Sequence, residues 1–327
     1  MLYLLATLLI FFSILFIRTF TFKSKQIHLS SSPEPLTISD LAPQRLAQAI
    51  AIKSIADQDT YSVDPAKIKE IHELIYSSFP KVHTTLTREI VNELSLLYHW
   101  KGKDQNLKPL LLLAHMDVVP ANTEEWSVDP YKGIIKDGYI WGRGALDDKL
   151  SLMGILEAAE HLIEEGFVPE RSIYFAFGHD EEIRGLNGAK KLAELLATRN
   201  IEFEAILDEG GIVINNAVPG VNKPVAVIGI AEKGYLSCEL SSESEGGHSS
   251  MPPIPTAIGR LCNAISRIEN NPFPATIKGP SLLMYDYVGP EMPFLTKFIF
   301  ANLWLFKPLL QKKLTSSPST NASIRTT

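Results

Sequence analysis

One histidine and a series of carboxylates carry the chemistry available to this sequence. His115-Met116-Asp117 closes the apolar run Leu110–Ala114, Asp147-Asp148 follows a glycine-rich turn, and Asp180-Glu181-Glu182 and Asp208-Glu209 close two further apolar runs. A hydrolytic metal site needs a few nitrogen or oxygen ligands, an open position for water, and a carboxylate to take the water's proton. Two ions about 3.5–4 Å apart that share a carboxylate can clamp both the attacking and the leaving atoms. His115, Asp147, Glu182 and Asp208 are candidate ligands and Glu181 a candidate base. Glu181 and Glu182 need not compete, because neighbours on an extended segment face opposite ways. Taken alone, a His-x-Asp pair reads more simply as a satisfied strand-end histidine beside a carboxylate. The elements around it have to decide.

Leu110–Asp117, bounded by Lys108-Pro109 and Val118-Val119-Pro120, has the pattern of a buried parallel strand with polar residues at its carboxyl end. Side chains two apart share a face of a strand, so His115 and Asp117 can enter one pocket. Arg171–Gly178 and Ala205–Leu207 read as further strands that stop in acids, and Val91–Trp100 as a strand leading into the first. Asp137-Gly138 between apolar residues signals a hairpin that delivers Gly142-Arg143-Gly144-Ala145-Leu146-Asp147-Asp148-Lys149. Helices are expected over Leu41–Ile52, from Asp64-Pro65 to Phe79, over Leu150–Glu165 and through Ala189–Leu196. The fold class is therefore α/β, with the acid-bearing strand ends gathered at one edge of a sheet. Beyond Val218-Pro219-Gly220, paired strands are expected at Val225–Ile230 and Tyr235–Ser241, and a helix at Thr256–Ile268, as a smaller α+β domain.

The 327 residues allow two domains, and 45% hydrophobic with 21% charged residues is a globular composition. A net charge of -6 without basic blocks argues against nucleic acid as a partner. Cys238 and Cys262 are the only cysteines, so no thiolate metal site is indicated; two free thiols are the default, with one bridge open outside the cytosol. Leu2–Ile17 is almost wholly apolar, with Arg18, Lys23 and Lys25 after it; extended through Phe22, residues 1–22 approach the roughly 20 residues that span a bilayer. No basic residue precedes it and no Ala-x-Ala follows, which favours a membrane anchor over a cleaved signal, with a secreted or luminal protein as the alternative. Residues 23–39, with Ser30-Ser31-Ser32-Pro33-Glu34-Pro35, are a linker; 40–220 is the catalytic domain and 221–327 the second domain.

Five stretches together resemble a known family. His115-Met116-Asp117, Gly142 to Lys149, Asp180-Glu181-Glu182, Leu207-Asp208-Glu209-Gly210-Gly211 and Gly246-Gly247-His248-Ser249-Ser250 occur in the order seen in the di-zinc metallopeptidases that include carboxypeptidase S, aminoacylase and succinyl-diaminopimelate desuccinylase. Trp141-Gly142-Arg143 and the hydrophobic stretch after Pro280 are most similar to the carboxypeptidase S and N-fatty-acyl-amino-acid hydrolase branch. The resemblance implies a catalytic domain whose mixed sheet is flanked by helices, and an inserted lid and dimerisation domain. It implies two Zn2+ ions, with His115 on one, Asp147 bridging, Glu182 on the second and Asp208 on the first. Asp117 would fix the His115 imidazole, Glu181 would be general base and then acid to the leaving amine, and His248 would reach a partner subunit's site in a homodimer.

Each residue also has a plainer reading. Asp148 serves as a first-turn carboxylate of the following helix. Asp180 and Glu209 tune charge, Arg143 and Lys149 are structural partners for the acids, His179 has no assigned role, and His248 is a turn residue. In the family the chain returns from the lid with a last zinc-binding histidine, and no histidine follows His248 here. That departure leads to the expectation of an incomplete lid, weak second-metal binding and little hydrolysis. The reading is a membrane-anchored zinc-dependent amide hydrolase acting on peptides or N-acyl amino acids. Its alternative is a catalytically impaired form acting as a binding or dimerising regulatory protein.

Overall fold

An apolar helix, α1 (Leu2–Thr21), opens the chain. The computed structural model describes residues 1–27, 38–216, 218 and 220–326; the Ser30–Pro35 tether and Pro219 lie outside the described residues. Two units result, Pro33–Gly210 and Met1–Ser32 with Gly211–Thr327.

The Pro33–Gly210 unit contains, in chain order, α2 (Ala42–Ala51), the short pair β1 (Ala56–Asp57) and β2 (Ser62–Val63), α3 (Pro65–Ser78) and α4 (Pro80–Thr85). Strands β3 (Thr87–Val91), β4 (Ser95–Trp100) and β5 (Leu110–His115) follow, then the hairpin β6 (Ile134–Lys136) and β7 (Tyr139–Trp141). α5 (Lys149–Glu164), β8 (Ile173–Gly178), α6 (Ala189–Thr198) and β9 (Ala205–Leu207) complete it. The main sheet has the order β3-β4-β8-β5-β9. β3, β4 and β8 pair antiparallel, while β5 lies parallel to both β8 and β9.

Period-two alternation sends neighbouring side chains to two cores. Leu96, Tyr98 and Trp100 of β4 and Phe175 and Phe177 of β8 face the core built with α2, α3 and α5, where Ile50, Ile71 and Leu152 are fully buried. Leu97, Leu111 and Ala176 face the opposite core with Leu192 and Leu196 of α6. Both faces are therefore covered, as a mixed α/β sheet requires. The helix starts follow their signals: Asp64 accepts from Ala66 N ahead of Pro65. The β6–β7 turn places Asp137 and Gly138 at φ 55° and 77°, the left-handed pair of a two-residue hairpin. β3 was not expected from the sequence; it pairs with β4 through a turn at Asn92 and Glu93, also left-handed at φ 47° and 69°.

The other unit contains β10 (Ile212–Ile214), β11 (Val225–Val227), α7 (Ala257–Asn270), α8 (Pro280–Val288), α9 (Phe294–Ala301), α10 (Leu303–Leu314) and α11 (Pro318–Ile324). Strand pairing differs from the expectation here. Val225–Val227 pairs with Ile212–Ile214, and Tyr235–Ser241 forms no strand, with Tyr235 and Leu236 exposed. Thr256 caps α7 through Gly259 N, as its hydroxyl predicts. Cys238 and Cys262 are both free and exposed, so the bridge is not formed. Val221, Ile277, Tyr285, Met292, Phe300 and Ile324 make this unit's own core, with Phe22 packed against it.

Candidate metal centre

The sheet register assembles the site. His115 at the end of β5 pairs with Gly178 at the end of β8, so the chain leaving β8 delivers Asp180-Glu181-Glu182 beside the imidazole. Leu207 of β9 pairs with Leu112, which brings the following acids up alongside the last residues of β5. Gly144, at φ 86°, lets the Gly142–Asp148 loop pass close to β5: a Cβ there would lie 2.7 Å from Val118 Cγ1. That loop carries Asp147 in from a third direction.

Imidazole orientation is set from behind. Asp117 O lies 3.0 Å from His115 Nδ1, and Asp117 Oδ1 lies 3.3 Å from the same nitrogen. These partners place a hydrogen on Nδ1 and turn Nε2 toward the acids. Asp117 is fully buried and its carboxylate also holds the opposite wall, accepting from Glu181 N at 3.1 Å and Glu182 N at 3.0 Å. One carboxylate thus fixes both the His115 ring and the turn that presents the two glutamates.

On the open side, Asp147 Oδ1 and Glu209 Oε2 each lie 3.0 Å from His115 Nε2, and Glu181 Oε2 lies at 4.0 Å. A ring nitrogen carries at most one hydrogen, and Asp147 receives it; Glu209 Oε2 is buried without a hydrogen-bond partner. Among the described residues, two groups have metal-ligand spacing, His115 with Asp147 and Glu209, and His115 with Glu181 and Glu182. This surplus of oxygens over hydrogens is what a divalent cation would satisfy, and an all-nitrogen-and-oxygen set suits zinc and other first-row ions. The residues present therefore fit a metal.

Charge crowding is visible in the acidities. Burial pushes Glu182 up to about 7, helped by the Asp147 charge, and raises Glu181 for the same reason. Burial alone would lower His115, yet the adjoining carboxylates of Asp117 and Glu209 outweigh that and lift it to about 12. The imidazolium is then the cation that the acids gather around, and a metal ion takes that place only by displacing its proton. Burial raises Asp148 to about 7, and its Oδ2 accepts from His115 N at 3.3 Å. Asp148 is the N-cap residue of α5, but its side chain makes no capping bond; it faces β5 instead.

The other acids and bases sort themselves by contact. Asp208 is exposed and accepts from Glu209 N, and it is Glu209 that stands against His115. The sequence left Glu209 as a charge-tuning residue, and only the left-handed Gly210, at φ 89°, hints that this loop turns inward. Asp180 accepts from Asn187 N and Gly188 N and braces its own loop, while His179 Nδ1 meets Ser95 Oγ at 2.7 Å. Lys149 does not pair with the acids: its buried ammonium donates to Ala49 O and Ile52 O. Burial lowers it to about 7. Arg143 lies 5.6 Å over the Trp126 ring rather than on a carboxylate. His248 is exposed in the other unit, its Nδ1 2.8 Å from Ser250 Oγ.

Residues 111–287, over half of the 327, match the model of peptidase family M20/M25/M40. A probable carboxypeptidase S-like 2 of Dictyostelium discoideum is 44% identical over 96% of this chain and 62% of its own length. The N-fatty-acyl-amino acid synthase/hydrolase PM20D1 of Xenopus tropicalis is 40% identical over 98% of this chain and 64% of its own. Carboxypeptidase S of Saccharomyces cerevisiae is 40% identical over 70% of this chain and 42% of its own. The chain thus spans less than two thirds of the length of these curated relatives. With its mixed sheet, its strand-end acids and a match over more than half its length, the chain belongs to peptidase family M20/M25/M40.

Proposed function

We propose that this chain carries the metal-binding half-site of a zinc-dependent hydrolase that cleaves the C–N bond of peptides or N-acyl amino acids. The observation that carries the proposal is the convergence of Asp147 and Glu209 on His115 Nε2, with Glu181 and Glu182 beside them. His115, Asp147, Glu182 and one carboxylate of the Asp208-Glu209 pair would hold the metal, Asp208 being the ligand that family order favours. A bound divalent ion supplies Lewis acidity to the amide carbonyl and lowers the pKa of water. Glu181 would accept the proton of the attacking water, a role supported by its half-exposed side chain and by the burial and neighbouring acids that raise its proton affinity. It returns that proton to the departing nitrogen, so that acid and amine are released with atoms balanced.

The relatives' names support two substrate classes, carboxypeptidase substrates and N-fatty-acyl amino acids. We assign α1 as a membrane anchor, on the support of its 20 residues and its apolar composition. A homodimer, with His248 serving the partner's site, belongs to the same reading, and sedimentation equilibrium tests it. For the reaction, Glu181→Gln decides: hydrolysis of a dipeptide and of an N-acyl amino acid falls by roughly 10²–10⁴-fold while zinc binding persists. Unchanged turnover in Glu181→Gln overturns the assignment.

A further inference from the structure

Helix α1 does not stand alone. α9 runs antiparallel beside its second half: Phe294 stacks near Phe20 at 6.1 Å and Phe16 at 6.3 Å, Phe298 meets Phe16 at 5.6 Å, and Trp304 meets Phe11 at 6.1 Å. The pair is also locked by polar groups. Fully buried Asn302 sends Nδ2 to Leu15 O and Thr19 Oγ1, each at 3.2 Å, and Arg18 Nε donates to Ala301 O at 3.2 Å. Asn302 Oδ1 is left without a partner.

Depth follows from these contacts. At about 1.5 Å per residue, 20 residues of α1 span about 30 Å, the thickness of a bilayer's hydrocarbon. Phe11 then lies about 15 Å from the Thr21 end. If α1 crosses a membrane, the elements packed on Phe11 to Phe20 cannot remain in water. The outward surface of those elements agrees with immersion. Leu295 is 77% exposed and Leu309 65%, with Phe294, Trp304 and Leu305 exposed around them. At the α9–α10 junction the Asn302 amide donates to Leu15 O of α1 and to Phe298 O, and Ala301 O accepts from Arg18 Nε, so these groups bond within the protein as hydrocarbon demands. Lys297 and Lys307 are half-buried, on stems long enough to snorkel. Lys25, just past α1, pairs with Asp286 ahead of α9, which sets that end at the headgroups.

We propose that α9 and the first turns of α10 are embedded beside α1 in one leaflet of the bilayer, their outward faces covered by lipid acyl chains. This rests on the reading of α1 as a membrane anchor. The polar lock makes α1 part of this unit's architecture, and the immersed pair holds the unit against the membrane. Substrates with long acyl chains partition into the same leaflet, so the protein would meet them there and not from solution.

Spin labels test the proposal on the full chain in phosphatidylcholine–phosphatidylglycerol vesicles. In a Cys238→Ser, Cys262→Ser background, single nitroxides are placed by Leu5→Cys on α1 or Leu295→Cys on α9, both at exposed positions. Collisions with oxygen exceeding those with a water-soluble nickel chelate several-fold at both positions support the proposal. A lipid-exposed label at residue 5 with an aqueous one at 295 overturns it and leaves the anchor standing. Aqueous labels at both positions overturn the anchor reading, and the proposal with it. Quenching of tryptophan emission by bromolipids that disappears in Trp304→Phe is the expected companion result; quenching unchanged in that variant counts against immersion.

Discussion

Replacing Asp117 by asparagine changes one atom and separates the two tasks this side chain performs. In the parent, Oδ1 accepts from Glu181 N and lies 3.3 Å from His115 Nδ1, while Oδ2 accepts from Glu182 N. An amide keeps one acceptor and turns its NH2 toward either Glu181 N or Glu182 N. One backbone N–H is then orphaned in a site where Asp117 has no exposure, which costs about 1–3 kcal/mol. The negative charge behind His115 also disappears, and loss of such an orienting partner weakens metal affinity by about 10–100-fold. At about 1.4 kcal/mol per decade that is about 1.4–2.8 kcal/mol, similar to the folding cost and separable from it. Competition against a chromophoric chelator reads the zinc affinity, and urea unfolding with excess EDTA reads the stability. An Asp117→Asn variant that binds zinc within about twofold of the parent, at unchanged unfolding midpoint, would refute the claim that this carboxylate organises both walls.

Three further outcomes follow from individual contacts. Leu152→Ala empties a fully buried position of the α5 core and lowers unfolding free energy by about 2–5 kcal/mol in the same urea assay. Burial lowers His72, whose Nε2 lies 2.8 Å from Leu94 O, below its ordinary 6.5. The unfolded chain takes up that proton first as pH falls below 6.5, so this residue's contribution to stability is present above that pH and is lost toward the lowered folded value. His72→Gln therefore narrows the stability difference between pH 7 and pH 5 relative to the parent, and an unchanged difference contradicts the burial argument. If Asp208 is the ligand that family order favours, Asp208→Asn weakens zinc binding more than Glu209→Gln does; the reverse order in the chelator assay assigns the ligand to Glu209, the carboxylate 3.0 Å from His115 Nε2.

Legibility in the sequence tracked how local the signal was. Leu110–His115 and Ile173–Gly178 were readable because continuous apolar runs stop abruptly in acids, and Asp137-Gly138 because both residues accept the left-handed turn. β3 escaped because its hairpin turns on Asn92-Glu93, where Glu93 gives no such signal. Tyr235–Ser241 reads as strand by residue type, yet the partner it needs is not supplied: Val225–Val227 is paired to Ile212–Ile214. Site membership divided the same way. The order of His115, Asp147, Glu181 and Glu182 could be read along the chain, whereas Glu209 against His115 depends on the β5–β9 register and the turn at Gly210. Lys149 looked like a partner for acids because charge was visible and burial was not; its ammonium serves the carboxyl end of α2 instead.

The central claim is that the acids around His115 are arranged for a metal ion. Crystals grown with zinc, with anomalous differences recorded at the zinc edge, test it most directly. The account predicts a peak about 2.0–2.2 Å from His115 Nε2 and from a carboxylate oxygen of Asp147, lost in His115→Ala. A map with no peak at His115, or with zinc bound elsewhere and unaffected by His115→Ala, would contradict it.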